Sequence, residues 1–377
     1  MPFEDKSAMS QKLEFVRLAL SGKAHVSELC RRFGIGRTNA YKLLHRYRME
    51  GEAGLAERSR RPQSSPLRSL PAVEAAALKV RGEHPTWGGR KIAKVLARQG
   101  QSAPAPSTVT GILRRNGVEL GAAGGGAKPF IRFEHPAPND LWQMDFKGHV
   151  AMHTGRLHPL TVLDDHSRFS VVLAACANQT ADTVKSHLIA AFRRYGLPWR
   201  MAVDNGSPWG DHAESRFTTL TVWLIETGVS VSHSRPYHPQ TLGKDERFHR
   251  SLKAEILAVP FKDLAQAQLA LEQWRGIYNT QRPHDALAGA VPMDRFGISP
   301  RQYSEVPKPF DYADGDTVRR VQRHGWVSCH GRPIKISKAF VGKAIAFRPT
   351  HQDGAFKAYF RHQHICTVDL NTPAVQP

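Results

Sequence analysis

Acidic residues are few relative to basic ones in this 377-residue chain, which holds 33 Asp and Glu against 53 Lys and Arg. The formal net charge of +20 makes a polyanion the expected partner, with an anionic membrane surface as the competing one. The sequence also lacks an apolar run long enough to span a bilayer, so we expect no membrane insertion. Glu4 and Asp5 precede any apolar segment, which argues against a secretory signal and favours a cytoplasmic location.

Cysteine is nearly absent. The four cysteines are far apart and show no paired spacing, namely Cys30, Cys176, Cys329 and Cys366. We therefore expect neither a disulfide framework nor a cysteine-based zinc site. With 41% hydrophobic residues, the chain is long enough for two or three domains and at least one sizeable core.

The positive charge is concentrated at the amino-terminal end. Residues 1–128 hold 23 Lys and Arg against 10 Asp and Glu, a net +13, which leaves +7 for the rest of the chain. Residues 58–66 and 121–127 are rich in Pro, Ser or Gly and predict linkers. DNA contact is therefore expected to begin in the first module.

The first module has apolar residues at helical spacing in three short segments. The break at residues 33–37 has the size of the turn in a helix-turn-helix, and it places four polar side chains at the start of the third helix. These predicted DNA contacts are Arg37, Thr38, Asn39 and Lys42. The alternative is an ordinary helical bundle whose basic residues form a solvated face.

A similar pattern recurs between about residues 73 and 118 and predicts a second helix-turn-helix. Its third helix is expected to open at Pro106, with Ser107 as the N-cap. A packing or linker module is the alternative. The predicted DNA contacts of this module are Arg90, Lys91, Ser107, Thr108, Arg114 and Arg115.

The sequence predicts β-structure in two further regions. Segments 142–150, 157–163 and 169–175 predict three antiparallel strands, followed by a helix at about 180–195 and a strand at 199–203. After Pro307, five strand-like segments separated by glycine turns predict a small five-stranded barrel, with Asp353-Gly354 as a hairpin signal.

Three acids in these segments form a candidate metal site. Asp145 lies within the first predicted strand, Asp204 ends a later strand, and Glu246 belongs to a helix that begins after Gly243. Hard oxygen ligands suit Mg²⁺ or Mn²⁺, and two such ions support phosphodiester chemistry. Each acid taken singly has a structural alternative, as a strand-end cap, an Asx turn or a helix-surface charge.

Other acids compete for this role, and Asp245 is the nearest competitor. One helical step turns a side chain by about 100°, so Asp245 and Glu246 cannot both face the metals. Glu246 has His249, Arg250 and Lys253 at i+3, i+4 and i+7, which favours Glu246. Asp164 and Asp165, at a hairpin turn, are predicted to be conformational.

Six ordered phrases resemble the motifs of bacterial insertion-sequence DDE transposases with a retroviral-integrase-like core. They are Trp142-Gln-Met-Asp-Phe-Lys147, Leu163-Asp-Asp-His-Ser-Arg168, Asp204-Asn-Gly-Ser-Pro208, Arg235-Pro-Tyr-His-Pro-Gln240, Gly243-Lys-Asp-Glu-Arg-Phe-His249 and Tyr278-Asn-Thr-Gln-Arg-Pro-His284. The resemblance covers roughly residues 10 to 300. Two departures are an interval of 41 residues between Asp204 and Glu246, longer than usual, and the lack of a preceding His/His/Cys/Cys zinc module.

The resemblance implies a fold and an activity. It implies two helix-turn-helix modules, an α/β RNase H-like core with a mixed five-stranded sheet and flanking helices, and an SH3-like barrel. Asp145, Asp204 and Glu246 would be the catalytic and metal-binding triad for two Mg²⁺ or Mn²⁺ ions. The reaction would be 3′-end cleavage at terminal inverted repeats and strand transfer into target DNA, without a covalent enzyme–DNA bond. A catalytically inactive DNA-binding regulator is the alternative.

The remaining predictions concern partners and boundaries. Joining two ends implies at least a dimer on double-stranded DNA, in a bacterial cytoplasm at the nucleoid. DNA contacts around the third acid are predicted at Arg235, His238, Gln240, Lys244, His249, Arg250 and Lys253. The predicted domains are 1–58 and 73–120 for the helical modules, 136–300 for the core and 301–377 for the barrel, with linkers at 59–72 and 121–135.

Overall fold

The computed structural model describes residues 7–59, 66, 68–101, 103–120, 134–210, 216–233 and 243–372. The chain forms two compact units, Met1–Arg68 and Ser69–Pro377. Of the predicted boundaries, this division corresponds only to the one between the first helical module and the rest; the others stay predictions. Across the described residues, no helix is both long and apolar enough to cross a membrane.

The first unit is a three-helix bundle, as predicted. Its helices are α1 (Ala8–Leu20), α2 (Val26–Arg32) and α3 (Arg37–Glu50). They enclose a small apolar core formed by Phe15, Val16, Leu29, Cys30, Ala40, Leu44 and Leu55. The turn between α2 and α3 contains Gly34 at φ +65°, a conformation that glycine adopts without steric cost.

A second three-helix bundle opens the larger unit. Its helices are α4 (Pro71–Glu83), α5 (Gly89–Arg98) and α6 (Pro106–Arg115), with Trp87, Ile92, Val109 and Ile112 in the core. The predicted N-cap at Ser107 is wrong. Pro106 occupies the first helical position, which its fixed φ and missing N–H suit, so Ala105 is the N-cap.

A six-stranded mixed sheet follows. Its strands are β1 (Leu141–Phe146), β2 (Val150–Met152), β3 (Gly155–Asp164), β4 (Ser170–Cys176), β5 (Arg200–Val203) and β6 (Ser230–His233). The strand order is β2-β3-β1-β5-β6 with β4 paired to β3; β1, β5 and β6 are mutually parallel, and the other pairs are antiparallel. The sixth strand, β2, was not predicted, because Gly148 at φ +89° breaks the single strand expected over 142–150.

Helices cover both faces of this sheet. They are α7 (Ala181–Tyr195), α8 (Thr219–Glu226), α9 (Gly243–Glu255) and α10 (Leu264–Thr280). Side chains alternate along β3: Leu160 and Val162 pack with α7 and α8, whereas Leu163 packs with α9 and α10. Thr161, between them, therefore points toward the α9 side, where it contacts Asp245.

The carboxyl-terminal part is all-β. Its strands are β7 (Thr317–Arg320), β8 (Trp326–Cys329), β9 (Arg332–Lys335), β10 (Ala344–Pro349), β11 (Ala355–Phe360) and β12 (Gln363–Asp369). They form a four-stranded sheet, β12-β11-β10-β7, and a two-stranded sheet, β8-β9. The hairpin at Asp353-Gly354 joins β10 to β11 as predicted, and β12 was missed. Closure into an SH3-like barrel stays a prediction.

This all-β part shares its hydrophobic core with the mixed sheet. Phe340 and Phe347 belong to the same cluster of buried side chains as Val203 and Leu224. The rings of Phe217 and Phe340 lie 5.1 Å apart, and Lys343 Nζ lies 2.5 Å from Glu226 Oε1. The two parts therefore pack as one body within the larger unit.

Candidate active site

Asp145 and Asp204 are brought together by the register of two parallel strands. Gln143 of β1 lies opposite Ala202 of β5 in the last pair of this parallel register. Asp145 lies two residues further along β1, and Asp204 directly follows the end of β5. Asp204 is close enough for its charge to raise the pKa of Asp145, so the two strands bring both acids to the same edge of the sheet.

The fold opposes ionisation of Asp145. Burial, followed by the nearby charge of Asp204, raises the pKa of Asp145 to about 6. The Phe146 backbone N–H donates to Asp145 Oδ1 at 2.8 Å, and this bond and the charge of Lys147 offset part of the increase. A carboxylate held this way gains from a cation bound beside it.

Asp204 is held by an Asx turn directly after β5. The Gly206 backbone N–H donates to Asp204 Oδ1 at 2.9 Å. This turn, one of the structural alternatives for an isolated acid, is compatible with metal binding because the second carboxylate oxygen, Oδ2, is not used in it.

A third and a fourth side chain approach Asp145 from α9. One possible ligand atom each from Asp145, Asp245 and His249 lie within 4.8 Å of one another. Asp245 is fully buried, and burial, followed by the charge of Asp145, raises its pKa well above the ordinary value. The structure therefore brings the competitor Asp245, rather than Glu246, next to Asp145.

Thr161 is the residue that connects these groups, and sequence reasoning missed it. It lies opposite Asp145 in the antiparallel β1–β3 pairing. Its Oγ1 is 2.9 Å from the Asp145 carbonyl oxygen, 3.0 and 3.1 Å from the two Asp245 carboxylate oxygens, and 2.8 Å from His249 Nε2. The pairing that reveals Thr161 is a property of the folded sheet, and no local pattern in the sequence indicates it.

His249 faces this buried network and not solvent. Burial, with a contribution from Lys147, lowers the pKa of His249 to about 3, so the imidazole is neutral near pH 7. The predicted DNA contact at His249 is therefore wrong for this arrangement, because its Nε2 is used by Thr161. His249 and Asp245 are separated by four residues and share one face of α9.

Glu246 lies on a different side of α9. Its side chain is 70% exposed, and its Oε1 is 3.6 Å from the guanidinium of Arg250. The prediction that Glu246 shares a face with His249 is wrong, because Phe248 and Leu252 are buried and turn Asp245 and His249 inward. The role of Glu246 as third metal ligand stays a prediction.

The turn acids Asp164 and Asp165 have conformational contacts. Asp164 accepts hydrogen bonds from the backbone N–H groups of Asn139 and Ser167. Asp165 forms an ion pair with Lys244. Since Lys244 is held in this pair and is partly buried, its predicted DNA contact is not supported here.

Of the other predicted DNA contacts near α9, some are exposed in the structure and some lie outside the described residues. Arg250 and Lys253 are exposed on α9. The predicted contacts at Arg235, His238 and Gln240 lie outside the described residues.

On α3, the predicted contact residues Arg37, Thr38, Asn39 and Lys42 are all exposed. They are accompanied by two residues that sequence reasoning missed, Tyr41 and His45, which line a shallow cavity with Thr38, Lys42 and Arg46. Thr38, Tyr41, Lys42 and His45 follow the i, i+3, i+4, i+7 spacing of one helical face, which was the available signal.

In the second bundle, α5 contacts the segment that follows α10. An Arg90 guanidinium nitrogen lies 3.5 Å from Asp285, and Arg98 forms a two-pronged pair with Asp294. Burial, followed by the charge of Arg282, lowers the pKa of Lys91 to about 8. The predicted DNA contacts at Arg90 and Lys91 therefore lie on the face that packs against the core.

The helix α6 keeps part of its predicted DNA face. Ser107, Thr108 and Arg114 are exposed. Arg115, in contrast, donates to the buried Glu74 at 2.8 Å, so this predicted contact has an intramolecular partner.

The donor set at β1, β5 and α9 fits a hard divalent cation. Among the described residues, no Lys or Arg forms an ion pair with Asp145 or Asp204, and two carboxyl groups with raised pKa values, Asp145 and Asp245, lie close together. Carboxylate oxygens are the ligands that Mg²⁺ and Mn²⁺ prefer. The cluster is accordingly a candidate acidic metal site.

Family models match most of the described regions. Two models named "Integrase core domain" match residues 135–239 and 227–292. Residues 135–292 therefore match an integrase core. The "IS481 family transposase, C-terminal domain" model matches 316–376, a helix-turn-helix model matches 11–63, and a homeodomain-like model matches 39–113.

Two of the curated relatives come from bacterial insertion elements. The chain is 29% identical over 175 residues to an uncharacterized protein of insertion element IS407 from Burkholderia multivorans, covering 46% of this chain and 61% of that protein. It is 30% identical over 176 residues to an uncharacterized protein of IS476 from Xanthomonas euvesicatoria, covering 46% and 49%. The chain thus spans about half to three fifths of these relatives. The resemblance to insertion-sequence transposases with an integrase-like core is confirmed.

Solved retroviral integrases also match. The HTLV-2 integrase catalytic core domain in complex with magnesium, trimeric form, aligns at TM-score 0.32 and 16% identity, covering 42% of this chain and 97% of that one. A simian T-cell lymphotropic virus intasome in complex with PP2A regulatory subunit B56 gamma aligns at TM-score 0.36 and 15% identity, covering 78% and 99%. The family models and the insertion-element relatives, not these superpositions, identify the integrase core.

Proposed function

We propose that this protein is a metal-dependent DNA transposase. It would bind the terminal inverted repeats of a mobile element, cleave their 3′ ends and join them to target DNA. The observation that carries the proposal is the pair Asp145, near the end of β1, and Asp204, directly after the parallel neighbour β5, which are close enough for the charge of Asp204 to raise the pKa of Asp145. Two helix-turn-helix matches in the strongly basic amino-terminal region support DNA as the substrate.

The residues of the integrase core would provide the metal site. Asp145 and Asp204 would hold Mg²⁺ or Mn²⁺, two ions per site, with the third carboxylate supplied by Glu246 in the first turn of α9. Such ions, when bound, favour attack of a hydroxyl oxygen on a phosphodiester and stabilise the leaving oxygen. The chain itself would hold the ligands in place and bind the DNA backbone through the exposed Arg250 and Lys253 on α9.

DNA binding is proposed to begin at α3, through Arg37, Thr38, Asn39 and Lys42, and to continue at α6, through Ser107, Thr108 and Arg114. Two transposon ends must meet for joining. We therefore propose at least a dimer on double-stranded DNA, in a bacterial cytoplasm at the nucleoid.

A DNA-binding regulator with an inactive core is the second candidate. The observation that favours it is the orientation of Glu246, whose side chain faces solvent beside Arg250. Such a protein would bind inverted repeats without cutting them.

Cleavage and joining on a labelled inverted-repeat duplex with Mg²⁺ would decide between the two candidates. The parent protein is expected to release a 3′ end and join it to a target plasmid, whereas Asp204→Asn should bind the duplex equally well and join no ends. If the parent is as inactive as Asp204→Asn while both bind, the regulator is the correct assignment.

A further inference from the structure

We propose that Asp245 is a positioning residue, which fixes the first turn of α9 to the strand that carries Asp145 by way of the Thr161 hydroxyl. The proposal rests on the proposed function, because the position of α9 matters for cleavage only if the neighbouring acids act. It concerns a residue directly before Glu246 in the sequence but on another side of the helix.

The geometry of one hydroxyl group carries the proposal. Thr161 Oγ1, whose single hydrogen is donated to one acceptor at a time, lies 2.9 Å from the Asp145 carbonyl oxygen. The same oxygen is 3.0 and 3.1 Å from the two Asp245 carboxylate oxygens and 2.8 Å from His249 Nε2. A single side chain on β3 therefore connects the main chain of β1 with two successive turns of α9.

Burial stabilises the contacts between Thr161 and α9. Asp245 and Thr161 are 0% exposed, so water cannot replace the hydrogen bonds between them. A buried polar group that loses its partner carries the full cost of desolvation. Rotation of α9 about its axis would break the Thr161 contacts to Asp245 and His249 together, and Phe248 and Leu252, buried on the same side of α9, oppose that rotation.

The consequence for the site concerns Glu246. Successive residues of an α-helix are about 100° apart around the axis. With Asp245 fixed against Thr161, the direction in which the Glu246 side chain leaves the helix is also fixed. The Glu246 carboxylate itself stays exposed, with Arg250 at 3.6 Å, and can turn about its own side-chain bonds. Asp245 would thus set the position of the third acid without binding metal.

The experiment compares shape-conserving and shape-deleting variants in Mg²⁺-dependent 3′-end cleavage. Asp245→Ala and Thr161→Val remove the connection and are expected to lower the cleavage rate by about 100-fold, because displacement by about 1 Å has that effect on a positioned group. Asp245→Asn keeps a planar polar group and Thr161→Ser keeps the hydroxyl, so each variant should cleave at a rate within about threefold of the parent. Asp182→Asn, an exposed acid in the first turn of α7, is the matched control for the lost charge.

Two outcomes would overturn the proposal. If Asp245→Asn is as inactive as Asp204→Asn, Asp245 is a metal ligand and not an anchor. If Asp245→Ala cleaves like the parent, the contact between Asp245 and Thr161 has no role in cleavage.

Should Asp204→Asn cleave normally, the proposed function has failed. The positioning role of Asp245 can then still be tested by a measurement that does not depend on catalysis. Amide hydrogen exchange in residues 245–248 should be faster in Asp245→Ala and Thr161→Val than in Asp245→Asn, and equal rates would contradict the anchor.

Discussion

Asp145 is ionised at a cost to the folded state. Burial and Asp204 raise its pKa to about 6, above the ordinary value of 3.8. An acid with a raised folded-state pKa destabilises the protein fully above the folded pKa, and this destabilisation disappears as the pH falls below the unfolded value. The metal-free protein should therefore gain stability between about pH 6 and pH 4 from this group.

Asp145→Asn removes this cost. At pH 7 and without divalent metal, the variant should unfold at a temperature a few degrees above that of the parent. This corresponds to a gain of about 2 kcal/mol in the free energy of unfolding. The difference should shrink as the pH approaches 4. Differential scanning calorimetry with Asp182→Asn as control measures it, and a variant less stable than the parent at pH 7 would contradict the raised pKa.

The local sequence pattern was enough to place Asp145 in a strand and Asp204 at a strand end. The alternation around Asp145 and the strand end at Asp204 depend on local pattern, and in the structure Asp145 lies on β1 and Asp204 directly follows β5. Thr161 could not be found by pattern alone, since its importance comes from the β1–β3 register, which pairs residues 16 positions apart. Long-range register is a tertiary property.

At the scale of elements, α9 shows where the sequence was misread. The helix and its two adjacent acids were predicted, but not its rotation about its own axis. Phe248 and Leu252, spaced i and i+4, define the buried face, and Asp245 lies three residues before Phe248 on that face. The apolar pair was therefore a better guide to rotation than the basic residues used to orient Glu246.

The helix α6 provides a matched pair of arginines. Arg115 donates to the buried Glu74, whereas Arg114 is exposed on the proposed DNA face. Arg115→Ala should lower the free energy of unfolding of the larger unit by about 1–3 kcal/mol, because it leaves a buried carboxylate without this partner.

Arg114→Ala should instead weaken binding to inverted-repeat DNA and reduce the slope of log affinity against log salt by about one, with little effect on unfolding. Chemical denaturation and fluorescence anisotropy measure the two properties. Equal effects of both variants on both properties would show that the structure assigns these arginines wrongly.

At the scale of the whole molecule, the first 68 residues form a unit with its own core. Because all members of that core lie between Phe15 and Leu55, the fragment 1–68 should fold alone. We expect a helical circular dichroism spectrum, a cooperative thermal transition, and salt-sensitive DNA binding that Lys42→Ala weakens. A fragment that is unfolded, or that binds DNA only as part of the full chain, would contradict this expectation.

Domain organisation was the hardest property to predict. The Pro- and Ser-rich stretch at residues 58–66 precedes the division between the two compact units, and the predicted domain boundaries themselves stay predictions. The expected separate barrel, however, buries Phe340 and Phe347 in the same core as the mixed sheet. Composition detects linkers but not packing between neighbouring segments, so the shared core was not visible in the sequence.

The central claim is that the integrase core cleaves DNA with metal held by carboxylates, and the chemistry of the cut end tests it most directly. The substrate is a 5′-labelled duplex carrying the terminal repeat from the DNA that flanks the gene. With Mg²⁺, the parent protein should produce a free 3′-hydroxyl end that terminal transferase extends, no protein-linked DNA after denaturation, and no product in excess EDTA. Cleavage that persists in EDTA, or ends that stay covalently attached to the protein, would contradict the account.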